Sequence, residues 1–477
     1  MPSDRNAPMG GGSARSTEEA EQRPQREGAE QGRLPGKGHT AAPEAEKTVS
    51  TKLAGLVARA RKEAQLTNVV QYVDEDLLRL AFRSLRKQAA PGVDGQSYED
   101  YEANLDQNLK ELYARLKSGK YRTPVIRRVY IPKANGKRRP IGITTIEDRV
   151  VQKAVAWVLS AIYEQDFLDS SHGFRPKRSP HTALHRLREG MRQHGVRYVV
   201  EVDIVGCFDH VQHGWMRKFV RHRANDGGLL RLLDKWLKAG VMENGVVTRS
   251  SEGTPQGGPI SPMLANIYLH YALDLWFERR FKKTCRKFAE LTRFADDFVA
   301  VFREQGDAEQ FRWEVEQRLA SFGMQVAPEK TALLNFDGDL LKGTGRRAKR
   351  PSTFTFLGFT HFLAKTRSGR VNIARTPSVK AQERFLRAVT LWLRQNRHLS
   401  VWEQRAHLVK ALNGYYQYFG LRLCSQKLSS VRLRVRWTWQ RMLRTRSQRA
   451  RRKCAWITLE TKPWFQLPTP TLRQTWV

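Results

Sequence analysis

Paired cysteines are missing from this chain. Its four cysteines, Cys207, Cys285, Cys424 and Cys454, are scattered, with no CxxC pair. That argues against a zinc knuckle or a zinc-stapled nuclease module and leaves reduced thiols of a cytosolic protein as the expectation. Long apolar runs are missing too: none approaches the ~20 residues of a spanning helix, and no signal peptide opens the chain. No membrane partner is expected. Acid is scarce, with 84 Lys and Arg against 47 Asp and Glu and a formal charge of +37 over 477 residues. Such an excess is a statement about partners, and nucleic acid comes first, because displaced counterions supply most non-specific affinity. Large apolar residues are nearly absent from residue 1 to about 50, where Gly, Pro, Ser, Glu, Gln and Arg dominate, so that stretch is expected to be a disordered tail.

What is present alternates helix and strand. "NVVQYVDEDLLRLAFRSLRKQ", "NLDQNLKELYARLKSGKY" and "EDRVVQKAVAWVLSAIYEQDF" carry helical spacing. "TPVIRRVYIPKANGKRRPIGIT" is expected to form a β-hairpin, with Asn135-Gly136 at its turn. Further on, "VRYVVEVDIVGCFDHV" has the pattern of a buried strand entering a turn, "LTRFADDFVAVF" of strand-turn-strand, and "STFTFLGFTHFL" of a strand pair. Helical patterns lie between them, including the long "SPMLANIYLHYALDLWFERRF". This mixed order predicts an α+β or mixed α/β architecture. After Pro377 the chain becomes helical, aromatic and very basic, and from Leu421 to Lys453 it has no acid at all. The run "RLRVRWTWQRMLRTRSQRARRK" is expected to track RNA phosphates, with Arg432, Arg434, Arg436, Arg441 and Arg444 as contacts. Tyr415, Tyr416 and Phe419 of "LNGYYQYFG" suit either a helix-bundle core or base stacking, the core fitting most of them better.

Asp296 and Asp297 stand side by side in an otherwise apolar, aromatic run, where unpaired charge is expensive. Alone, the pair reads better as a hairpin turn, but the apolar runs on both sides set it at a hairpin between buried strands rather than on a solvated loop. Asp203 ends a second apolar strand, and three aspartates on two strands would supply the oxygen donors that suit Mg2+ together with substrate phosphates. Two such ions serve phosphoryl transfer. Asp209 fits a turn or helix start better.

At this point the chain resembles the group II intron-encoded reverse transcriptases and maturases of the bacterial type. The resemblance rests on an ordered series of segments from roughly residue 65 to 450: "APGVDG", "IPKANGKRRPIGITTIEDRVVQ", "SSHGFRPKRSPHTAL", "VDIVGCFDHV", "EGTPQGGPISPMLANIYLH", "RFADDFVAVF", "MQVAPEKTALLNF", "FTFLGFTHF" and "LNGYYQYFG". It implies a right-hand polymerase architecture: fingers over 51–200, a palm with antiparallel sheet and catalytic hairpin over 201–365, and a helical thumb and maturase domain over 366–453. A tail over 454–477 is expected to follow. It implies that Asp203, Asp296 and Asp297 hold two Mg2+ ions, with the Ile204 carbonyl on one of them. Phe208 matches the ring that excludes the 2′-hydroxyl. Gln256 would meet the incoming nucleotide, and Lys133, Arg139 (or its neighbour Arg138) and Lys330 its triphosphate. Phe294 departs from the family, which more often has tyrosine there. The chain stops at Val477 with no HNH-like cluster, so target cleavage is not expected of it and a primer would come from elsewhere, such as a nascent strand at a replication fork.

The expected function is therefore RNA-directed DNA synthesis from a DNA primer with dNTPs, joined to binding of intron RNA in a bacterial cytoplasm, near the nucleoid when the intron moves. A splicing cofactor with an idle polymerase site and a defence or retron-like reverse transcriptase are the alternatives. The retained aspartates, Phe208 and Gln256 weigh against the first, and "LNGYYQYFG" against the second.

Overall fold

Side-chain caps start several of the helices. Asp74 accepts a hydrogen bond from the Leu77 amide ahead of the helix Glu75–Arg83, and Ser97, Ser179 and Ser400 each close a capping box ahead of Tyr98–Ala103, Pro180–His194 and Val401–Phe419. A cap of this kind satisfies an amide the first turn leaves unpaired and is worth about 1 kcal/mol. The computed structural model describes residues 44–132, 138–243, 246–248, 253, 257–342, 351–366 and 368–472. Among them no helix is long and apolar enough to cross a membrane.

The N-terminal part is built on the helix Ile146–Tyr163, buried along nearly its whole length, against which Glu44–Lys62 and Glu75–Arg83 pack. Its polar residues are met inside as well, the Asp148 carboxylate accepting from the Trp236 indole at 2.8 Å and the Gln152 amide at 2.8 Å. The first helix among the described residues starts at Glu44, inside the segment expected to be a tail, because Val49, Leu53 and Leu56 reach the core. Strands β1 (Ile126–Pro132) and β2 (Arg138–Ile143) form the expected hairpin, whose turn lies outside the described residues. β3 (Tyr198–Val202) leads through Asp203 into β4 (Ile204–Val205). β5 (Val241–Glu243) then lies parallel to β1 and carries β6 (Val246–Thr248), giving a first sheet in the order β2-β1-β5-β6.

The central sheet runs β10-β3-β8-β7, antiparallel throughout, with β7 (Ala289–Phe294), β8 (Asp297–Phe302) and β10 (Ala332–Asn335). The short β9 (Gln325–Val326) pairs with β4. β11 (Phe354–Phe356), β12 (Phe359–Lys365) and β13 (Val371–Pro377) make a separate antiparallel meander. The period of two along the central strands separates two cores. Val200, Val202, Phe298 and Ala300 face the larger core, which includes the helix Gln305–Ala320, whereas Val199, Val299 and Val301 face a second core shared with the C-terminal helices. The result is the mixed α and β structure the sequence indicated.

The C-terminal bundle comprises Val379–Gln395, Val401–Phe419 and Ser425–Arg444. Tyr415, Tyr416 and Phe419 are buried in it, so the core assignment holds. The stretch from 454, expected to be a tail, is instead part of the bundle as far as it is described. Leu459, Phe465 and Leu467 are buried, and the Phe465 ring stacks on Trp439 at 5.2 Å.

Candidate active site

β7 and β8 are joined by the two-residue turn Ala295-Asp296, with Phe294 paired to Asp297. Ala295 has φ +57°, a left-handed conformation that costs an alanine of order 1 kcal/mol and persists only where neighbours impose it. The imposing neighbour is the segment 170–174, which lies on the free edge of β7. The Arg293 amide donates to the Ser170 carbonyl at 2.8 Å, and the His172 amide donates to the Arg293 carbonyl at 2.9 Å. A Cβ on Gly173 would stand 2.3 Å from the Ala295 nitrogen, so only glycine lets the two backbones meet there.

Register assembles the aspartates. Val202 faces Phe298 across β3 and β8, the last pair of the register, and one step beyond it Asp203, just past the end of β3, comes to Asp297, the first residue of β8. The same alternation sets both on the side of Val199 and Val301, toward the C-terminal helices. Asp296, at the turn, is close enough to the buried Cys207 for its charge to act there, and burial first, then that charge, pushes the Cys207 thiol up. Asp203 is half-buried. Its carbonyl accepts from the Ala327 amide at 2.8 Å and its carboxylate is in an ion pair with Lys330. The hydrogen bond to Asp203 raises the Lys330 amine above its ordinary value, with Asp297 adding to it. Lys330 is held there by the single turn Pro328–Lys330 that follows β9.

The donor set is oxygen-only, which suits a hard cation such as Mg2+, an ion that takes one or two carboxylates and completes its shell with water and substrate phosphates. The residues fit that group, and the Asp203 carboxylate already accepts a cation, the Lys330 amine. Among the described residues, however, no three His, Cys, Asp or Glu side chains are gathered into a ready-made metal cage. Ile204 is buried, its backbone in the β4–β9 pair. Phe208 is half-buried beside Cys207, and Asp209 is in the turn whose amide bonds the Gly206 carbonyl at 2.7 Å, as expected of a turn residue.

The nucleotide side is described only at its edges. Lys133 and Gln256 lie outside the described residues. Arg139 pairs through its backbone with Ile131, and Arg138 is exposed at the start of β2. A Cβ on Gly253 would stand 2.9 Å from the Asp209 carbonyl, and one on Gly257, at φ +112°, 2.5 Å from the Gly142 carbonyl. These two glycines therefore fix close approaches to the turn at Asp209 and to β2. The Phe294 ring is half-buried, 6.5 Å from Phe174.

Three functional candidates escaped the sequence reading. Gly173 acts across a contact between distant segments. Arg293 was visible only as a lone cation in an apolar strand. Tyr418, on the helix Val401–Phe419, donates to the Leu357 carbonyl at 2.9 Å, and burial pushes its hydroxyl up to about 12, with Asp297 contributing. The last ties the C-terminal bundle to the turn between β11 and β12, within reach of the Asp297 charge.

One expected RNA contact needs correction. Arg436 is buried, its guanidinium over Trp456 at 4.8 Å and Phe465 at 4.9 Å. It lies on the stripe with Val435 and Trp439, which turns inward. Arg432 is half-buried and donates to the Leu467 carbonyl at 3.0 Å. Arg434, Arg441 and Arg444 are exposed.

Comparison with known proteins bears on this geometry. Residues 131–361, from β1 to β12, match the family described as reverse transcriptase (RNA-dependent DNA polymerase). Protein YkfC of Escherichia coli (strain K12) is 33% identical over 334 residues, 63% of this chain and 84% of YkfC. The group II intron-encoded protein LtrA of Lactococcus lactis subsp. cremoris is 40% identical over 196 residues, 41% of this chain and 32% of LtrA. An uncharacterized 91 kDa protein in the cob intron of Schizosaccharomyces pombe is 33% identical over 206 residues, 43% of this chain and 25% of that protein. The chain thus spans most of YkfC but about a third or less of the two intron proteins. With a matched polymerase region that contains all three aspartates, the chain belongs to the reverse transcriptases of the group II intron-encoded and maturase type, RNA-directed DNA polymerases with the right-hand fold.

Proposed function

We propose that this chain extends a DNA primer on an RNA template at the Asp203–Asp296–Asp297 site and grips intron RNA with its C-terminal helices, assisting splicing and mobility. The observation that carries the proposal is the register, which brings Asp203, one step beyond its last pair, to Asp297, with Asp296 at the adjoining turn. In this reading the primer 3′-hydroxyl attacks the α-phosphate of a bound dNTP and pyrophosphate leaves. Bound Mg2+, two ions, supplies the positive charge that favours an ionised attacking oxygen and a charged leaving group. Asp203 and Asp296 hold that charge in place and Asp297 assists, with the Ile204 carbonyl as a further donor. Lys330 passes from Asp203 to the triphosphate when the nucleotide arrives, joined there by Lys133 and Arg139. Phe208 presents a flat ring to the sugar and excludes a 2′-hydroxyl, and Gln256 meets the nucleotide.

Residues 51–200 act as fingers and 201–365 as palm. The thumb and maturase part begins at 366 and, since its core includes Phe465 and Leu467, extends past 453. Arg434, Arg441 and Arg444 lie on its outer face and suit phosphates, so the partners are intron RNA, a DNA primer and dNTPs. The cytoplasm of a bacterium, and its nucleoid during mobility, is the place this activity implies. The test is a pair of assays on wild type and Asp296→Ala: primer extension on an RNA template and splicing of the cognate intron RNA. Extension lost with splicing retained in the variant supports both halves. Equal, poor extension by both proteins alongside stimulated splicing refutes the polymerase half.

A further inference from the structure

Arg293 is fully buried on the strand that enters the Ala295-Asp296 turn. Its Nε donates to Asp274 Oδ1 at 2.8 Å, and its Nη2 to Asp274 Oδ2 at 2.6 Å and Ser171 Oγ at 2.8 Å. Its Nη1 donates to Asn266 Oδ1 at 3.0 Å and to the Ala295 carbonyl at 2.8 Å. A guanidinium has five N–H groups, and all are used. The partners come from separate parts of the chain. Asn266 is on the helix Ser261–Leu269, and Asp274 closes the π-helical turn His270–Asp274 that follows. Ser171 belongs to the segment along β7, and Ala295 is the turn itself. Asn266 also donates to the Gly173 carbonyl at 2.7 Å, just where that backbone abuts Ala295.

An ion pair in which both side chains are fully buried is weak grounds for stability, because apolar residues of similar volume often do as well. Here the guanidinium does what an apolar side chain has no means to do: it holds a carbonyl. That carbonyl belongs to the left-handed residue immediately before Asp296. We infer that Arg293 is a positioning residue for the polymerase site, with Asp274 and Asn266 as its anchors, fixing the turn that presents Asp296 and Asp297. The planar fork reaches helix, segment and turn at once, a geometry lysine lacks. The π-helical turn belongs to the same device, since an inserted residue of this kind re-aims the side chains after it and is frequent near functional sites.

The inference rests on the proposed use of Asp296 and Asp297. Its test is the double variant Arg293→Met/Asp274→Met, which removes both charges so that neither is left buried and alone. Four quantities are compared with wild type: melting temperature, template–primer affinity, amide hydrogen exchange over 289–302, and kcat with its Mg2+ dependence. The expected result is near-unchanged melting and affinity, exchange over 289–302 faster by about tenfold or more, kcat lower by about tenfold or more, and a higher half-saturating Mg2+ concentration. Wild-type kcat with unchanged exchange overturns it. If the double variant fails to fold, Asn266→Ala carries the test, with changes of a few-fold in the same directions supporting the inference and wild-type values overturning it. Asp296→Ala is assayed in parallel. Full activity there overturns the reading of the site, whereas an inactive Asp296→Ala beside a fully active double variant overturns only the role of Arg293.

Discussion

Gly173→Ala puts one methyl group against the proposed polymerase site without touching any side chain assigned a role there. The new Cβ would lie 2.3 Å from the Ala295 nitrogen and 3.0 Å from both Ala295 Cα and the Phe294 carbonyl carbon. All three are backbone atoms, so no rotamer relieves the contact. Reaching an ordinary separation requires the turn or the segment 170–174 to retreat by about 1 Å, and overpacking of this size costs ~1–3 kcal/mol. Gly173 has no left-handed backbone, so alanine brings no torsional penalty of its own. The displaced residue precedes Asp296, and a misplacement of about 1 Å at a reacting centre is worth ~10²-fold in rate. The assay is steady-state primer extension on an RNA template, with the melting temperature measured on the same preparation. The expectation is a modest fall in melting temperature and a fall in kcat near two orders of magnitude, with template–primer affinity kept. A variant that melts a few degrees lower but retains wild-type kcat would show that the turn does not need its observed position.

Three further outcomes are expected. Lys330→Met removes the cation from Asp203 and, in the proposed cycle, from the triphosphate, so KM for dNTP rises about tenfold or more while kcat changes less; an unchanged KM refutes the triphosphate role. Burial holds His361 and His172 down to about 3 and His270 to about 4, so they stay neutral when folded and take up protons on unfolding. Their contribution is whole above pH ~6.5 and is lost toward pH 3–4 by about 1.4 kcal/mol per unit and histidine. Asp148, which burial raises to about 6, works the other way as pH falls from 6 to 3.8, as do the raised Glu201 and Glu290. The melting temperature of His361→Phe should therefore fall less steeply than that of wild type between pH 6.5 and 4.5, and parallel slopes count against it. Finally, Arg436→Met should change melting but not RNA affinity, whereas Arg434→Ala/Arg441→Ala should weaken binding and flatten its salt dependence by roughly 0.7–0.9 for each phosphate no longer neutralised; the reverse pattern sinks the assignment of faces.

Local pattern carried much of this fold. The hairpin around Asp296-Asp297 was legible because apolar residues flank a polar turn on both sides, and the helix Ile146–Tyr163 because its apolar residues recur at helical spacing. Asp203 was found by its place at the end of an apolar strand, one residue beyond the last registered pair, Val202 with Phe298. Contacts between distant segments were not legible. Neither the edge that 170–174 lends to β7 nor the parallel pairing of β5 on β1 leaves a periodic trace. Arg293 shows only as a cation where a strand should be apolar, and its four partner residues are known only once the chain is folded. The error at Arg436 came from reading a charge run as composition. Helical spacing sets that residue on the stripe of Val431, Val435 and Trp439, and the aromatic residues that cover it arrive from beyond 454, where prolines and short spacing hid a packed segment.

The polymerase role of the three aspartates is tested most directly by single-turnover addition of one dNTP to a DNA primer annealed to RNA, with Mg2+. Wild type, Asp203→Asn and Asp296→Asn are compared after each is shown to bind the template–primer. The prediction is addition by wild type and a loss of roughly 10²–10³-fold or more in both variants. Addition by either variant at the wild-type rate would contradict it.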